Sequence, residues 1–387
     1  MSVKGKIRVL ETIRQGKIGG GETHVLDLVK ALDKELYEPI VLSFTDGPMI
    51  STLQQMGIKT YVIKTERPFD FTKWKEVKRL LKACQIDILH AHGTRALSNT
   101  FWAARRLGLP IIYTVHGWSF HADQPSLMKS YRTLGEKFLT SKSDITVCVS
   151  ESNLKESQQL FDMSRATIIK NGIDLNKFNK GNSFSDIRRE LNIAKETILV
   201  GYIARITSQK DPITLLKAIA LIPADVNIHF LIVGEGDLKE EALQLAVELK
   251  ILTRVTFVDF RQDIPDILNA IDIYCLPSLW EGLSIGLLEA MAMSKAIVAT
   301  AIDGTKEVIE HMVNGLLVPP SSPALLAKSL TLLATDEALR NTLSANAHLT
   351  IKDNHDVRKM TRQIESLYQK MLPQSRNISS EKPLQLI

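Results

Sequence analysis

Hydrophobic and polar positions alternate along residues 1–175 in a repeating rhythm of short, β-prone apolar runs separated by helical stretches. An apolar run followed by an amphipathic stretch is typical of a β-strand and its crossover helix, so the repetition predicts a parallel sheet covered by helices. The predicted strands of this series are Ile7 to Ile13, Pro39 to Phe44, Thr60 to Ile63, Ile86 to His90, Ile111 to Val115, Ile145 to Val149 and Ala166 to Ile169.

A second series with the same rhythm lies between residues 191 and 355. Its predicted strands are Thr197 to Ala204, Asn227 to Val233, Val255 to Val258, Asp272 to Leu276, Ala296 to Thr300 and Gly315 to Val318. Residues 176–190 between the two series are polar and rich in Asn and Ser, as expected of a linker. We therefore predict the α/β fold class, with two Rossmann-like domains, residues 1–175 and 191–355, that face a central cleft.

Helices are predicted after the last strand. Ala324 to Ala334 and Glu337 to Leu349 have helical patterns, and residues 356–372 place apolar side chains on one helix face. Residues 373–387 begin with a proline and are predicted to form a frayed tail.

Composition and charge exclude several classes of protein. With 387 residues, 44% of them hydrophobic and 24% charged, the chain is typical of a globular protein with two cores. No apolar run is long enough to cross a bilayer and the N-terminus lacks the apolar core of a signal peptide, which predicts a cytoplasmic location. The spacing of Cys84, Cys148 and Cys275 fits neither a disulfide framework nor a zinc site.

The net charge of +5 is unevenly distributed, because residues 1–175 carry an excess of Lys and Arg over Asp and Glu whereas the remainder carries a slight excess of Asp and Glu. An anionic partner of that half, such as a membrane surface or a phosphate-bearing acceptor, would explain the asymmetry. Chance and ordinary solvation explain it equally well. We expect no nucleic-acid partner.

Two carboxylates, Glu281 and Glu289, stand on either side of a predicted turn between a strand and a helix. The backbone N–H groups of Leu283, Ser284 and Ile285 would open that helix, where unpaired N–H groups and the helix dipole favour an anion such as a diphosphate. Eight helical steps would separate the carboxylates by about 12 Å, which is too far for the acid and nucleophile of a glycoside hydrolase. The pair is therefore interpreted as two groups that hold a ligand.

Two cations, Arg205 and Lys210, lie in a loop after another predicted strand. Arg supplies a planar fork of donors and Lys a point charge, and together they would neutralise the charge that develops on a departing diphosphate.

These motifs, in this order from about Ile7 to about Met371, resemble the retaining glycosyltransferases of the GT-B fold, family 4, whose signature is Glu-x7-Glu. The resemblance implies a nucleoside-diphosphate sugar as donor, a glycan or lipid-linked glycan as acceptor, and neither a metal nor another cofactor. It also implies that residues 356–372 cross back to the first domain.

The resemblance also implies roles for individual residues. Arg205 and Lys210 would bind the donor's pyrophosphate, Glu289 the ribose and Glu281 the hydroxyls of the donor sugar. Arg261 lies where family members contact the nucleotide base.

On the other side of the expected cleft, the resemblance assigns two further positions. Gly20 and Gly21 belong to a glycine-rich loop before the helical run Thr23 to Leu32, near the donor phosphates and the acceptor. His116, at the end of a predicted strand, would be a catalytic-site residue that contacts the reacting sugar or the acceptor.

Two other patterns have competing interpretations. His90 and His92 could be mistaken for metal ligands, but no carboxylate accompanies them in the sequence, and we favour packing in the cleft wall. Residues 73–82 form a basic amphipathic helix that either lies on an anionic membrane, as a peripheral contact at its inner face, or packs on the predicted sheet; we favour packing.

Three alternative functions remain at this stage. A non-hydrolysing sugar-nucleotide epimerase has the same fold, but the Arg205/Lys210 and Glu281/Glu289 sets match the transferase pattern. The second is a nucleotide-sugar-binding subunit without activity. The third is an NAD oxidoreductase, for which the G-x-G-x-x-G fingerprint is absent.

Overall fold

The computed structural model describes residues 5–121 and 124–372, so the predicted tail of residues 373–387 lies outside the described part. All thirteen predicted strands are present, in two parallel sheets, which confirms the α/β fold class with two Rossmann-like units. The first sheet contains β1 (Ile7–Ile13), β2 (Tyr37–Ser43), β3 (Lys59–Val62), β4 (Ile88–His92), β5 (Ile111–Val115), β6 (Ile145–Cys148) and β7 (Ala166–Ile168). The second contains β8 (Ile198–Ile203), β9 (Ile228–Val233), β10 (Val255–Val258), β11 (Ile273–Leu276), β12 (Ala296–Thr300) and β13 (Leu316–Val318).

Helices connect the strands. Those of the first half are α1 (Gly20–Ala31), α2 (Pro48–Gln55), α3 (Trp74–Ala83), α4 (Thr94–Leu107), α5 (Ser126–Lys142) and α6 (Glu151–Gln158). The later ones are α7 (Ile187–Glu190), α8 (Pro212–Leu221), α9 (Lys239–Glu248), α10 (Ile264–Ala270), α11 (Ile285–Ala292), α12 (Asp303–Lys306), α13 (Pro323–Thr335), α14 (Glu337–Asn354) and α15 (Val357–Met371). Single 3₁₀ turns occur at Ser208–Lys210 and Leu252–Arg254.

The strand orders are β3-β2-β1-β4-β5-β6-β7 and β10-β9-β8-β11-β12-β13. In each sheet the direction of progression reverses once, between β1 and β4 and between β8 and β11. Ligands of open α/β sheets bind outside the carboxyl ends of the strands at such a switch point. The loops after these four strands are therefore the expected walls of a binding cleft.

Apolar side chains cover both faces of both sheets. On the first sheet, α3, α4 and α5 pack on one face, and α1, α2 and α15 pack on the other. On the second sheet, α8, α9 and α13 cover one face and α10, α11 and α14 the other. Because α15 contributes Val357, Met360 and Ile364 to the core beneath β1, the chain returns to the first sheet after completing the second.

The basic helix α3 is part of the core, as favoured from its sequence. Val77 and Leu81 are fully buried, and the Trp74 ring stacks 5.6 Å from that of Trp102. The apolar side of α3 is thus occupied by protein and is not available to a membrane.

Two element boundaries differ from prediction with consequences for the site. The first helix begins at Gly20, three residues before the predicted Thr23, so Gly20 and Gly21 form its first turn and do not belong to a loop. Strand β4 extends to His92, two residues beyond the predicted end, because both histidines pair with β1 and so continue the ladder.

Candidate active site

A single cavity of about 1950 Å³ lies between the carboxyl ends of the two sheets. It is lined by every residue predicted to bind donor or act in catalysis: Gly20, Gly21, His116, Arg205, Lys210, Arg261, Glu281, Leu283, Ser284, Ile285 and Glu289. Groups up to 269 positions apart in the chain therefore share one cavity.

The start of α11 forms part of the cavity wall on the side of the second sheet. Ser284 is the N-cap, and its hydroxyl accepts the N–H of Leu287 at 3.4 Å. The helix thus begins at Ile285, and Leu283 precedes the cap, with its carbonyl accepting a hydrogen bond from the Asn171 amide at 2.8 Å. The N–H groups of the first helical turn and the positive end of the helix dipole lie at the cavity, an arrangement that favours an anion.

Glu289 lies in the second turn of α11 and is buried. Burial penalises the carboxylate and raises its pKa to about 8, more than the field of Lys177 lowers it. At neutral pH the side chain is mainly a carboxylic acid, which can both donate and accept a hydrogen bond. Such a group can pair with a hydroxyl that is itself both donor and acceptor.

Glu281 and Lys210 form an ion pair in the cavity wall. The Lys210 ammonium donates to the Glu281 carboxylate, which also accepts the hydroxyl of Ser278 at 2.7 Å. The side chains of Lys210 and Glu281 are only 13% and 8% exposed, so both charges are largely desolvated and each stabilises the other.

The two arginines on this side, Arg205 and Arg261, differ in their partners. Arg205 is exposed to the cavity, and its guanidinium donates to Gln209 at 3.2 Å. The Arg261 guanidinium is held by the carboxylates of Glu190 and Asp263, which raise its pKa. A contact between Arg261 and a nucleotide base would compete with these two ion pairs and stays a prediction.

On the opposite wall, His116 follows β5 and packs against the first turn of α1. A β-carbon built on Gly21 would lie 3.4 Å from Cδ2 of His116, so glycine leaves room for the ring. Burial lowers the pKa of His116 well below its ordinary value, and the neighbouring His24 and His92 lower it further. The ring is therefore neutral at physiological pH.

The expectation that no carboxylate accompanies His90 and His92 is wrong. Glu11 in β1 lies opposite His90 in the ladder, and its Oε2 is 3.0 Å from Nδ1 of His90 and 2.9 Å from Nε2 of His92. Tyr368 of α15 donates to Oε1 at 2.6 Å. Burial alone would raise the pKa of Glu11, but the two histidines outweigh it and the pKa is lowered, so the group is an anion.

These contacts define the direction of a hydrogen-bonded chain that ends at the cavity. Nδ1 of His92 is 3.1 Å from Nε2 of His116, and burial lowers the pKa of His92 to about 4, so both rings are neutral at pH 7. Because the Glu11 anion only accepts, Nε2 of His92 donates to it and Nδ1 of His92 must accept from His116. His116 is left with its Nδ1 lone pair free of this chain.

His24 joins the same cluster from α1. Its Nδ1 lies 3.0 Å from Oδ1 of Asn171, while its Nε2 is buried without a hydrogen-bond partner among the described residues. Two sets in the described part, His24/His92/His116 and Glu11/His90/His92, have ligand atoms close enough for a metal ion. Most of these ligand atoms already take part in hydrogen bonds between the rings and Glu11. That the enzyme needs no metal stays a prediction.

Two further residues, Asn171 and Glu307, connect the two halves of the chain. The Asn171 side chain bridges His24 and the Leu283 carbonyl. The Glu307 carboxylate accepts the N–H groups of Glu151 and Ser152 at the start of α6, at 3.1 and 2.8 Å. No sequence pattern relates positions so far apart.

Comparison with known proteins agrees with this geometry. A family model described as Glycosyl transferases group 1 matches residues 183–350, and one described as Glycosyltransferase Family 4 matches residues 18–177. The chain belongs to the group 1 glycosyltransferases of the GT-B fold, and it is an enzyme of that class.

Individual relatives match nearly the whole chain. The Escherichia coli enzyme UDP-Gal:alpha-D-GlcNAc-diphosphoundecaprenol alpha-1,3-galactosyltransferase is 24% identical over 383 residues, 95% of this chain and 98% of that enzyme. The crystal structure of Anabaena HepE in complex with UDP and glucose superposes with a TM-score of 0.84 at 25% identity, covering 94% of this chain and 100% of HepE. The lipopolysaccharide glycosyltransferase WaaG, at 16% identity, 93% and 99% coverage and a TM-score of 0.75, supports the fold alone.

Within the described residues, no helix is both long and apolar enough to cross a bilayer.

Proposed function

We propose that the protein transfers a hexose or aminohexose, with retention of anomeric configuration, from a nucleoside-diphosphate sugar to a glycan or lipid-linked glycan. The observation that carries this proposal is the convergence of the α11 N-terminus, Lys210, Glu281 and Glu289 on one cavity wall that faces His116. A UDP-hexose is the first donor to test, because HepE was crystallised with UDP and glucose and the E. coli relative is named for UDP-Gal.

In the proposed complex, the diphosphate lies at the start of α11 and against Arg205 and Lys210. Lys210 would then divide its charge between the phosphate and Glu281, and Glu281 would gain capacity to accept hydroxyls of the donor sugar. Glu289 as a neutral acid would pair with the ribose hydroxyls. The helix terminus, Arg205 and Lys210 would stabilise negative charge on the departing nucleotide, which is the charge that grows in the transition state.

The proposed chemical step is a front-face substitution. The acceptor hydroxyl oxygen bonds to the anomeric carbon as the bond from that carbon to the diphosphate oxygen breaks, and the hydroxyl proton passes to the departing diphosphate. His116, neutral and with a free Nδ1 lone pair, would accept a hydrogen bond from a substrate hydroxyl on the same face. No side-chain nucleophile is needed in this scheme.

The proposed setting is bacterial surface polysaccharide or lipopolysaccharide synthesis on the cytoplasmic side of the membrane. It is supported by the diphosphoundecaprenol-linked acceptor in the name of the E. coli relative. Peripheral contact with the inner face of the membrane belongs to the same proposal.

The test begins with a thermal-shift screen of nucleoside-diphosphate sugars, since a ligand that binds only the folded state raises the melting temperature. The donor identified is then incubated with a panel of lipid-linked glycans, and nucleotide release is measured with and without acceptor. Release that requires acceptor, with an α-linked product from an α-linked donor, is expected. Conversion of the donor to an epimer without acceptor would instead establish an epimerase.

Metal dependence is measured in the same assay. We expect full activity in EDTA, because the helix terminus, Arg205 and Lys210 would supply the positive charge that a divalent ion supplies elsewhere. Loss of activity that only Mg²⁺ or Mn²⁺ restores would contradict the metal-free mechanism.

A further inference from the structure

Helix α5 exposes large apolar side chains along one of its faces. Leu127 is 88% exposed, Tyr131 73% and Leu134 64%, and Met128 and Phe138 are also exposed. Intervals of three and four residues place these five side chains on one side of the helix. We call them the α5 apolar face. Single exposed apolar residues are ordinary, but a contiguous apolar helix face indicates a surface that binds something.

The other side of α5 is firmly attached to the protein. Glu136 is fully buried, and its carboxylate accepts hydrogen bonds from Thr94 at 2.7 Å, Tyr113 at 2.8 Å and Ser119 at 2.5 Å. Leu139 packs in the core beside it. Because α5 is anchored through this side, the apolar face cannot turn inward without breaking a buried polar network.

The charges of α5 are strongly asymmetric. The helix carries Lys129, Arg132, Lys137 and Lys142, and its one acidic residue is the buried Glu136. Basic residues beside an exposed apolar face are the features of a helix that lies in the interfacial plane of a membrane with anionic lipids. A partner protein surface of neutral or positive charge would lack this complementarity.

The α5 apolar face is continuous with the active-site cavity. Met128, Tyr131, Leu134 and Phe138 line the same cavity as His116. A bilayer that contacted the face would therefore lie at the mouth of the cavity, where an acceptor attached to a lipid could enter without leaving the membrane.

We propose that the α5 apolar face docks the enzyme on an anionic lipid bilayer and presents the cavity to a membrane-embedded acceptor. This inference rests on the proposed function, of which it assigns the membrane contact to one helix. The basic helix α3, for which membrane contact was the less favoured alternative, has its apolar residues in the core. The docking helix is therefore α5.

The full chain is tested by co-sedimentation with vesicles of phosphatidylcholine alone and of phosphatidylcholine with phosphatidylglycerol. The wild type should bind the anionic vesicles and bind the neutral ones far less. The double variant Tyr131→Glu/Leu134→Glu should lose at least about tenfold in partition to anionic vesicles, because two charged groups would have to enter the apolar region. Leu349→Glu is the matched control, since Leu349 is 63% exposed on α14, and it should bind like the wild type.

Folding and donor binding are followed separately. The double variant should keep the wild-type melting temperature and the wild-type shift on adding UDP, since both side chains are exposed and neither is among the residues assigned to the donor. Unchanged vesicle binding by the double variant would overturn the proposal, as would failure of the wild type to bind anionic vesicles. Sedimentation velocity gives a further outcome that would overturn the proposal. A wild-type dimer that the double variant does not form would assign the α5 apolar face to contact with a second copy of the chain. Because no transfer is measured, these outcomes are independent of the proposed reaction.

Discussion

The two walls of the cavity are built in different ways. On the second-sheet wall, the groups assigned to the donor, apart from Arg261, come from two short segments, Arg205 to Lys210 and Glu281 to Glu289, each in the loop and helix after one strand. On the first-sheet wall, Glu11, His92 and His116 follow or belong to three strands and are joined only by strand register. The difference teaches that a charged wall can be recognised from local sequence, whereas a buried polar network depends on how strands pair.

The walls also differ in electrostatics. The donor wall has an exposed arginine, a shared lysine and an open helix end, all positive. The opposite wall contains neutral histidines backed by one buried anion. We therefore expect changes in the cations of the donor wall to affect catalysis. Changes in the buried network of Glu11 and the histidines should affect stability.

The largest expected effect is on catalysis. Lys210→Ala should lower kcat by about 10²- to 10³-fold, because an ammonium that stabilises the leaving diphosphate is lost from a desolvated site. Steady-state kinetics with the donor identified above gives the measurement. Lys217→Ala, which removes an exposed lysine of α8, should have wild-type kcat. Equal kcat for both variants would show that Lys210 does not stabilise the transition state.

Next in size is a loss of stability from the other wall. Glu11→Gln removes the anion to which His90, His92 and Tyr368 are bonded, and should lower the free energy of unfolding by about 3 kcal/mol. Urea denaturation measures it. Glu38→Gln, an exposed change in the neighbouring strand at the Arg8 ion pair, should cost about 0–1 kcal/mol. If the two variants were equally stable, the buried network would contribute nothing beyond a surface pair.

A pH-dependent prediction concerns Glu289. Its folded pKa of about 8 is above the ordinary 4.5, so between these values the folded state holds a proton that the unfolded state has released. Stability is therefore lost as pH rises through this window, by at most about 1.4 kcal/mol per pH unit from this group. Glu289→Gln should remove that part of the slope in unfolding measured from pH 5 to pH 8. The same slope in wild type and variant would show that burial does not hold the proton there.

The smallest expected effect is at the contact between the walls. Glu307→Gln leaves one carbonyl to serve two N–H groups at the start of α6 and should cost about 1 kcal/mol of unfolding free energy. Glu310→Gln, an exposed change three residues away, should be neutral. Destabilisation by Glu310→Gln of the same size would mean that the cap is not the cause.

Much of the fold followed from hydrophobic periodicity, because each strand is a short apolar run and each crossover helix has its own pattern. The donor wall was equally predictable, since a strand, a loop and a helix start are consecutive in sequence. The errors have physical reasons. The first helix begins at Gly20 although glycine has a low helix propensity, because burial of the apolar side of α1 stabilises the helix. Glu11 was not noticed, because a single charged residue in an apolar strand does not indicate which residues of other strands it will contact.

The sequence alone determined the alternation of strands and helices, the loops that carry Arg205, Lys210 and Glu281, and the position of Glu289 within a helix. These depend on interactions between residues close together in the chain. Only the tertiary structure decided that Glu11 faces His90 and His92, that Tyr368 completes their network, and that the apolar side of α3 is covered while that of α5 is not. Those outcomes depend on sheet order, strand register and packing, through which distant segments compete for the same buried surface.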